Sequence, residues 1–293
     1  MSARDEHVPI DDGASLWTTS QGRGRPSVWC HGGPGGDSGT LAPLVAMIDD
    51  LALVHRYDQR ACGQSTGGPP HTMIRSIADI EALRRHWGYE RWLVSGVSFG
   101  AALVLAYAIE HPDRVAALVY ISCAVRLRGD PDWIEQFRQA RIERLPGPER
   151  ARYLDLQHRR GEGPDADPSL ATAARRLIAA TDFGSVDVAH RMESRIEQDM
   201  AAVNQEVNRE LGEDFERYFL EPGVRARLRA LDCPVLVVHG AADPRPAEAC
   251  VALAAALPRA NLVFLPDAGH YLLWETPDAV RDLLRAFIAS VPE

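Results

Sequence analysis

Short runs of apolar residues, each bounded by Gly, Pro or Asp, recur in the first 125 and the last 70 or so residues of the chain. Such runs are typical of strands that are buried on both faces of a parallel sheet. They predict six strands, at Ser27–Cys30, Leu51–Tyr57, Arg91–Val97, Val115–Ser122, Pro234–His239 and Asn261–Leu265. Between these strands, apolar residues recur at helical spacing, at Ser38–Ile48, Met73–His86, Phe99–Glu110, Pro246–Ala256 and Pro277–Ser290. Strand alternating with helix predicts an α/β fold, with a mostly parallel sheet and helices on both faces.

The alternation stops in the middle of the chain, where Arg, Glu and Asp dominate and strand-like runs are almost absent. We interpret residues 126–225 as a helical insertion that covers the sheet as a cap, with core segments at 1–125 and 226–293. A loop is expected at Gly161–Ser169. The longest helix is predicted at Val186–Leu211, with one apolar stripe along it. The stripe consists of Met192, Ile196, Met200, Val203, Val207 and Leu211.

The composition and charge of the chain argue against some classes of binding partner. The chain has 32 basic and 41 acidic residues, a net charge of −9, and its arginine-rich segments have acids close by. This balance argues against nucleic-acid binding, which needs a basic surface. The first residues lack a basic start followed by an apolar run, and no stretch reaches the length of a membrane span, so we expect neither a secretory signal nor a membrane partner. Five scattered cysteines without CxxC spacing indicate no disulfide framework and no metal site, and they fit the cytoplasm.

The strongest chemical signal is a G-x-S-x-G motif, Gly96-Val97-Ser98-Phe99-Gly100. It follows a predicted strand and precedes a predicted helix, which is the context of a nucleophile elbow. In such a turn the serine hydroxyl projects above the sheet, and the flanking glycines let strand and helix approach closely. Ser98 is therefore the candidate nucleophile.

A serine nucleophile needs a base, and the base needs an orienting carboxylate. In chain order after Ser98, one predicted strand delivers Asp243 and the next delivers His270, the order expected for this kind of site. His239 also ends a strand, but it precedes the acid. Asp267 is a rival acid, but it lies only three residues before His270 on the same loop. We expect Asp243 as the acid and His270 as the base.

A glycine-rich block, His31 to Gly36, follows the first buried strand. Glycines there let a backbone amide point at the oxyanion of a tetrahedral intermediate. We expect the amides of Gly33 and Phe99 to form this oxyanion hole. A phosphate loop is the alternative, but the G-x-x-x-x-G-K pattern is absent. The mechanism requires no cofactor and no metal.

These residues together resemble the proline iminopeptidase family of the α/β-hydrolase fold. The matching segments are HGGPGG at residues 31–36, DQRACGQS at 58–65, GVSFG at 96–100, HGAAD at 239–243 and AGH at 268–270. The resemblance implies a serine hydrolase that releases an N-terminal residue, typically proline, from a small peptide or amide. It also implies acidic residues in the cap that hold the free amine of the substrate.

The resemblance assigns this amine-binding role to Glu197, because Arg195-Ile196-Glu197 looks like the family's R-I-E motif. A solvated surface carboxylate is the alternative interpretation of Glu197, since charged helical residues are usually exposed. The family's second amine-binding glutamate has four candidates here, Glu206, Glu210, Glu213 and Glu216.

The chain departs from the family where Val97, Phe99 and Ala61 stand in place of the usual Gly, Trp and Gly. These changes leave the hydrolytic residues intact and bear on the preference for proline. Two other functions stay open: an esterase, lactonase or carbon–carbon bond hydrolase with the same triad, and a ligand-binding protein without turnover on this fold. The sequence does not determine the oligomeric state.

Overall fold

A computed structural model describes residues 3–159 and 168–292 of the chain. In this part of the chain, eight strands form one sheet in the order β1-β2-β4-β3-β5-β6-β7-β8. The six strands from β3 to β8 pair in parallel, which confirms the predicted strands and the α/β fold. The strands are β1 (Arg4–Pro9), β2 (Ser15–Gly22), β3 (Arg25–Cys30), β4 (Ala52–Tyr57), β5 (Trp92–Val97), β6 (Val115–Ile121), β7 (Val235–Gly240) and β8 (Ala260–Leu265).

The first two strands were not predicted from the sequence. They add an antiparallel hairpin to the sheet, and β2 pairs with β4. β1 carries mostly charged, exposed residues, and β2 is rich in Thr, Ser and Gln. Thr18 and Thr19 are nevertheless buried, because β2 lies between β1 and β4. Their burial depends on pairing with distant strands, so the local pattern contains no signal for it.

Helices cover both faces of the sheet because successive strand residues point to opposite sides. Val94 packs into one core with the helices that follow β4, β5 and β7, whereas Leu93 packs into a second core with the helix that follows β3 and with the last helix. The helices are α1 (Ala42–Ile48), α2 (Met73–His86), α3 (Phe99–Glu110), α4 (Ile134–Arg144), α5 (Gly147–Arg159), α6 (Pro168–Ala179), α7 (Val186–Arg191), α8 (Glu193–Ala202), α9 (Gln205–Phe219), α10 (Val224–Arg229), α11 (Ala247–Ala256), α12 (Leu272–Glu275) and α13 (Pro277–Ser290). Among residues 3–159 and 168–292, no helix is both long and apolar enough to cross a bilayer.

The helices from α4 to α10 lie between β6 and β7, in the region predicted to be helical. The division into core and cap at residues 126 and 225 stays a prediction, and the loop predicted from residue 161 falls mostly outside the described residues. The prediction of one helix over Val186–Leu211 is wrong, because α7, α8 and α9 are separate helices. Val203 is extended, and the side chain of Asn204 accepts hydrogen bonds from the first amides of α9. The stripe therefore divides: Ile196 packs within the insertion, and Val207 and Leu211 join the main core.

Candidate active site

Ser98 lies in a sharp turn between β5 and α3, with φ 56° and ψ −128°. The flanking glycines make this turn possible. A Cβ on Gly96 would lie 2.2 Å from the backbone of Gly100, and a Cβ on Gly100 would lie 2.1 Å from the carbonyl oxygen of Cys30. Side chains at either position would therefore separate the strand from the helix. The expected elbow geometry is present.

Asp243 and His270 meet Ser98 at the carboxyl edge of the sheet. Asp243 follows β7 and His270 follows β8, and these neighbouring strands end at the same edge. His270 Nδ1 lies 2.8 Å from Asp243 Oδ2, and His270 Nε2 lies 3.0 Å from Ser98 Oγ. Because an ionised carboxylate only accepts, Nδ1 carries the proton and donates to Asp243, so the Ser98 hydroxyl donates to Nε2. This arrangement can remove the hydroxyl proton as the serine attacks.

Asp243 is ionised in this setting. Burial by itself would raise the pKa of Asp243, but the nearby charge of Arg245 and the contact with His270 outweigh it and hold that pKa far below its usual range. Oδ1 accepts hydrogen bonds from the Arg245 backbone N–H and guanidinium, at 2.9 and 3.0 Å. Both carboxylate oxygens are thus engaged, and Oδ2 stays aimed at His270.

The rival base and acid lie elsewhere. His239 is fully buried, with Nε2 4.0 Å from Asp243 Oδ2, and burial lowers the pKa of His239 and keeps the ring neutral. Asp267 is an exposed loop residue. In the described residues, the imidazole hydrogen-bonded to Ser98 belongs to His270.

The glycine-rich block passes directly over Ser98. A Cβ on Gly32 would lie 3.0 Å from the Ser98 Cβ, so the backbone of this loop lies against the serine side chain. Gly33 has φ 127°, and its N–H donates to no acceptor in the described part of the chain. Phe99 is the first residue of α3, where the N–H has no partner within the helix. Both amides are therefore available, as an oxyanion hole requires.

Gln59 and His31 hold this loop in place, a role that the sequence analysis did not assign to them. The Gln59 backbone N–H donates to His31 Nε2 at 3.0 Å, and the Gln59 side chain donates to the His31 carbonyl oxygen at 2.8 Å. Burial lowers the pKa of His31, so its ring stays neutral and can accept. The two matching motifs at residues 31–36 and 58–65 thus touch each other in the fold.

A cavity of about 250 Å³ opens at Ser98 and His270. Most of its lining away from the triad is apolar, but three carboxylates, Asp37, Asp182 and Asp199, and the guanidinium-bearing Arg245 also line it. Asp199 lies on α8, and its Oδ1 accepts from Arg195 at 2.7 Å. Burial raises the pKa of Asp199 even though Arg195 opposes the shift. The apolar lining residues include Leu41, Val97, Ile196, Met200, Val203, Leu272, Leu273 and Trp274.

Glu197 does not line the cavity of Ser98. Its side chain is 51% exposed, forms an ion pair with Arg176 at 3.5 Å, and lines a second cavity of about 880 Å³. Ile196 lies between the two cavities and lines both. The amine-binding role of Glu197 stays a prediction, and its position in the structure does not favour that role.

The four candidate glutamates on α9 also lie away from Ser98: within the described residues, none of them lines its cavity. Glu210 accepts from the His71 backbone N–H at 3.2 Å, and Glu213 approaches Arg209 at 4.0 Å. These contacts give both side chains structural partners away from Ser98.

Comparison with known proteins assigns the family. The chain matches the α/β hydrolase fold family over residues 28–277. The proline iminopeptidase of Xanthomonas citri is 30% identical over a 312-residue alignment, which covers 95% of this chain and 94% of that protein. The chain belongs to the proline iminopeptidase family of α/β hydrolases. It is thus a hydrolase-fold enzyme with relatives of that name.

Solved structures agree on the fold. The proline iminopeptidase of Mycobacterium smegmatis superposes with a TM-score of 0.74 at 23% identity, over 98% of each chain. The enol-lactonase of Burkholderia xenovorans LB400 superposes with a TM-score of 0.72, also at 23% identity, over 97% of this chain and all of that one. At this identity both comparisons establish architecture alone, and the same architecture serves different substrates.

Departures from the family pattern have visible consequences. Ala61 stands where the family usually has glycine, and its φ is 57°, in the left-handed region that glycine adopts easily. Phe99 stands where the family usually has tryptophan and packs edge-to-face on Phe215 at 6.1 Å between ring centroids. Neither change touches the contacts among Ser98, His270 and Asp243.

Proposed function

We propose that this enzyme is a serine hydrolase that releases the N-terminal residue of small peptides or amides, with proline favoured. The observation that carries the proposal is the cavity in which a Ser-His-Asp arrangement faces a carboxylate on the insertion. Membership of the proline iminopeptidase family supports it. The small cavity favours a substrate with a short N-terminal part, since ligand sites of about 300–1,000 Å³ serve larger molecules.

In the proposed mechanism, Ser98 Oγ attacks the carbonyl carbon of the scissile amide while His270 Nε2 takes the hydroxyl proton. The N–H groups of Gly33 and Phe99 stabilise the negative oxygen that forms. The C–N bond then breaks, and the leaving amine receives the proton from His270. Water, activated by the same histidine, cleaves the acyl-enzyme and regenerates Ser98. Asp243 keeps the imidazole in the required tautomer and stabilises its charged form.

A substrate with a free N-terminus also presents an ammonium group, which needs a carboxylate partner. We propose Asp199 for this role, with Glu197 as the alternative taken from the sequence motif. Asp199 faces the same cavity as Ser98, and its Oδ2 accepts no hydrogen bond from the described residues. The apolar residues Ile196, Met200 and Val203 lie beside it and suit a ring such as that of proline.

The class of enzyme is tested with an uncharged fluorophosphonate and a substrate panel. The wild-type protein should be labelled at Ser98, and Ser98→Ala should lose both labelling and turnover while its circular dichroism is unchanged. Prolyl and alanyl arylamides should be cleaved faster than their N-acetylated forms, which lack the ammonium. An esterase or lactonase would instead be labelled yet prefer uncharged acyl esters or lactones, and a binding protein would be labelled poorly.

Two matched variants identify the ammonium partner. Asp199→Asn should lower kcat/KM for prolyl arylamide by at least about tenfold, or 1.4 kcal/mol, and should change hydrolysis of an uncharged acyl ester little. Glu197→Gln, on the same helix, should leave both rates near wild type. The opposite result would return the role to Glu197. Equal losses on both substrates in Asp199→Asn would indicate a displaced helix and would contradict the assignment.

A cytoplasmic location fits the same proposal. All five cysteines are buried free thiols, without a disulfide between them. Burial raises the pKa of Cys30 and of Cys62 to about 12, so these thiols stay protonated and unreactive. Unpaired cysteines are typical of a reducing compartment.

A further inference from the structure

Arg245 joins the acid of the proposed triad to the helical insertion. Its guanidinium donates to Asp243 Oδ1 at 3.0 Å and lies 3.4 Å from Asp182 Oδ1, in the segment between α6 and α7. Arg141, on α4, donates to the other oxygen of Asp182 at 3.0 Å. The guanidinium of Arg245 is 4.9 Å from the ring centroid of Phe137, within cation–π distance. The side chain of Arg245 is only 19% exposed, so these contacts are poorly screened by water.

A cation on the second oxygen of the acid affects the base as well as the acid. Asp243 attracts the imidazolium form of His270, whereas Arg245 repels it. The pair therefore stabilises imidazolium less than a carboxylate held by neutral donors would. A base that binds its proton less tightly stays neutral at lower pH. Once protonated, it is also a stronger acid toward a leaving amine.

We propose that Arg245 is a positioning residue that sets the pH range over which His270 works as a base, and that Asp182 tunes this effect from the insertion. The inference rests on the proposed triad. Asp182 also touches the base directly, because its carbonyl oxygen accepts from the His270 backbone N–H at 2.6 Å. The charged and titratable groups that surround His270 are Ser98, Asp37 and Asp199 at the cavity, Asp243, Arg245 and His239 after β7, Asp182 on the insertion, and Tyr271 and Glu275 on its own loop.

The rate of Ser98 labelling by an uncharged fluorophosphonate, measured against pH, tests this role without an aminoacyl substrate. Labelling forms a P–O bond at Ser98, breaks the P–F bond and passes the hydroxyl proton to His270. The labelling rate therefore falls at low pH, where His270 is protonated, and this acid limb of the pH profile reports the protonation of the base. Arg245→Gln removes the cation and leaves Asp243 to stabilise imidazolium alone. The acid limb should then move to higher pH, by roughly 0.5 to 1 unit. Arg245→Lys, which keeps the charge, should restore a limb close to that of the wild type.

Asp182→Asn is an independent test, in which the acid limb should shift in the direction opposite to that of Arg245→Gln. The substitution removes an anion near the base, so the positive charge of Arg245 is less neutralised and the imidazolium form of His270 is less stable. The backbone hydrogen bond to His270 is kept. The acid limb should therefore move to lower pH. Shifts of opposite sign in Arg245→Gln and Asp182→Asn support the proposal. If Arg245→Gln does not fold, the Asp182→Asn and Arg245→Lys profiles decide alone.

If the acid limb of Arg245→Gln does not move and the labelling rate falls equally at every pH, Arg245 is only a structural contact. That result would overturn the inference. A wild-type protein that is not labelled at Ser98 at all would contradict the proposed function instead. The two failures are therefore distinct.

Discussion

At the scale of single residues, four non-glycine positions among the described residues have a positive φ, and two of them, Ser98 and Ala61, lie in segments that match the proline iminopeptidase family. Ser98 has φ 56° and Ala61 has φ 57°. For Ser98 the strain accompanies a turn that places its oxygen beside His270. Proteins commonly hold such strained conformations at functional sites. Ala61 has no chemistry of its own. Its carbonyl oxygen accepts from the Asn204 side chain at 2.9 Å, so its strain serves only to fix a loop.

Replacing Ala61 with glycine should therefore stabilise the protein. The left-handed conformation costs an L-residue about 1–2 kcal/mol, and this exceeds the roughly 0.4–1 kcal/mol that glycine adds to the unfolded-state entropy. We expect Ala61→Gly to raise the free energy of unfolding by about 0.5–1 kcal/mol in a urea titration. Ala151→Gly, at an exposed position inside α5, is the matched control and should lower it by about 1 kcal/mol. A loss in both variants would show that Ala61 is not strained.

At the scale of elements, the contact between β5, α3 and β3 determines the position of Ser98, the proposed nucleophile. α3 is buried on all sides, from Phe99 to Ile109, as expected for a helix whose residues are almost all apolar. It reaches the sheet so closely because Gly100 has no side chain, since the Cys30 carbonyl oxygen occupies that space. The same glycine thus serves packing and catalysis together.

Gly100→Ala should accordingly be severely destabilising. The new methyl group meets backbone on β3, which cannot move aside as a flexible side chain would, so we expect a loss of about 3 kcal/mol or more. Gly212→Ala is the matched control, because Gly212 also lies inside a helix, α9, but has nothing within 4 Å of the added carbon. That variant should be stabilised by about 0.5–1 kcal/mol. Thermal unfolding of both proteins checks the contrast, and similar melting temperatures would contradict the packing argument.

At the scale of the whole molecule, the helical region between β6 and β7 contacts both sides of the proposed catalytic centre. On the side of the proposed oxyanion hole, the Asn204 backbone N–H donates to the Gly35 carbonyl oxygen, and the Asn208 side chain donates to that of Pro34, each at 2.8 Å. On the base side, Glu275 accepts from the backbone N–H groups of Gly269 and Tyr271, which flank His270. It also accepts from the Gly184 N–H of the insertion at 2.7 Å. The position of the insertion is therefore coupled to the geometry of the site.

Glu275→Gln should weaken this coupling. The amide keeps one acceptor oxygen and turns an N–H₂ group toward backbone donors, so at least one of the three N–H groups loses its partner. We expect a loss of about 1–3 kcal/mol in stability and a lower kcat with the prolyl arylamide. Glu90→Gln, at an exposed loop position outside the helices, is the control and should change neither quantity. Wild-type kcat in Glu275→Gln would show that the loop of His270 is held by other contacts.

Much of the fold, and the three residues of the proposed triad, could be predicted because their signals are local. Buried parallel strands are short apolar runs, the elbow is five consecutive residues, and the acid and base follow strands in the order that this fold requires. The hairpin β1–β2 was missed because its burial depends on pairing with β4. The single helix predicted across Val203 was wrong because Asn204 binds the Gly35 loop and begins a new helix there.

The sequence alone thus determined the six parallel strands of the sheet, the elbow at Ser98 and the family to which the chain belongs. Only the tertiary structure decided which charges face the reacting groups. Glu197 and Asp199 are two residues apart on α8, and a helix turns about 200° over two residues, so they line different cavities. Arg245 and Asp182 are 63 residues apart and meet beside Asp243. Electrostatic contacts depend on distance and burial in space, and a local pattern in the sequence contains neither.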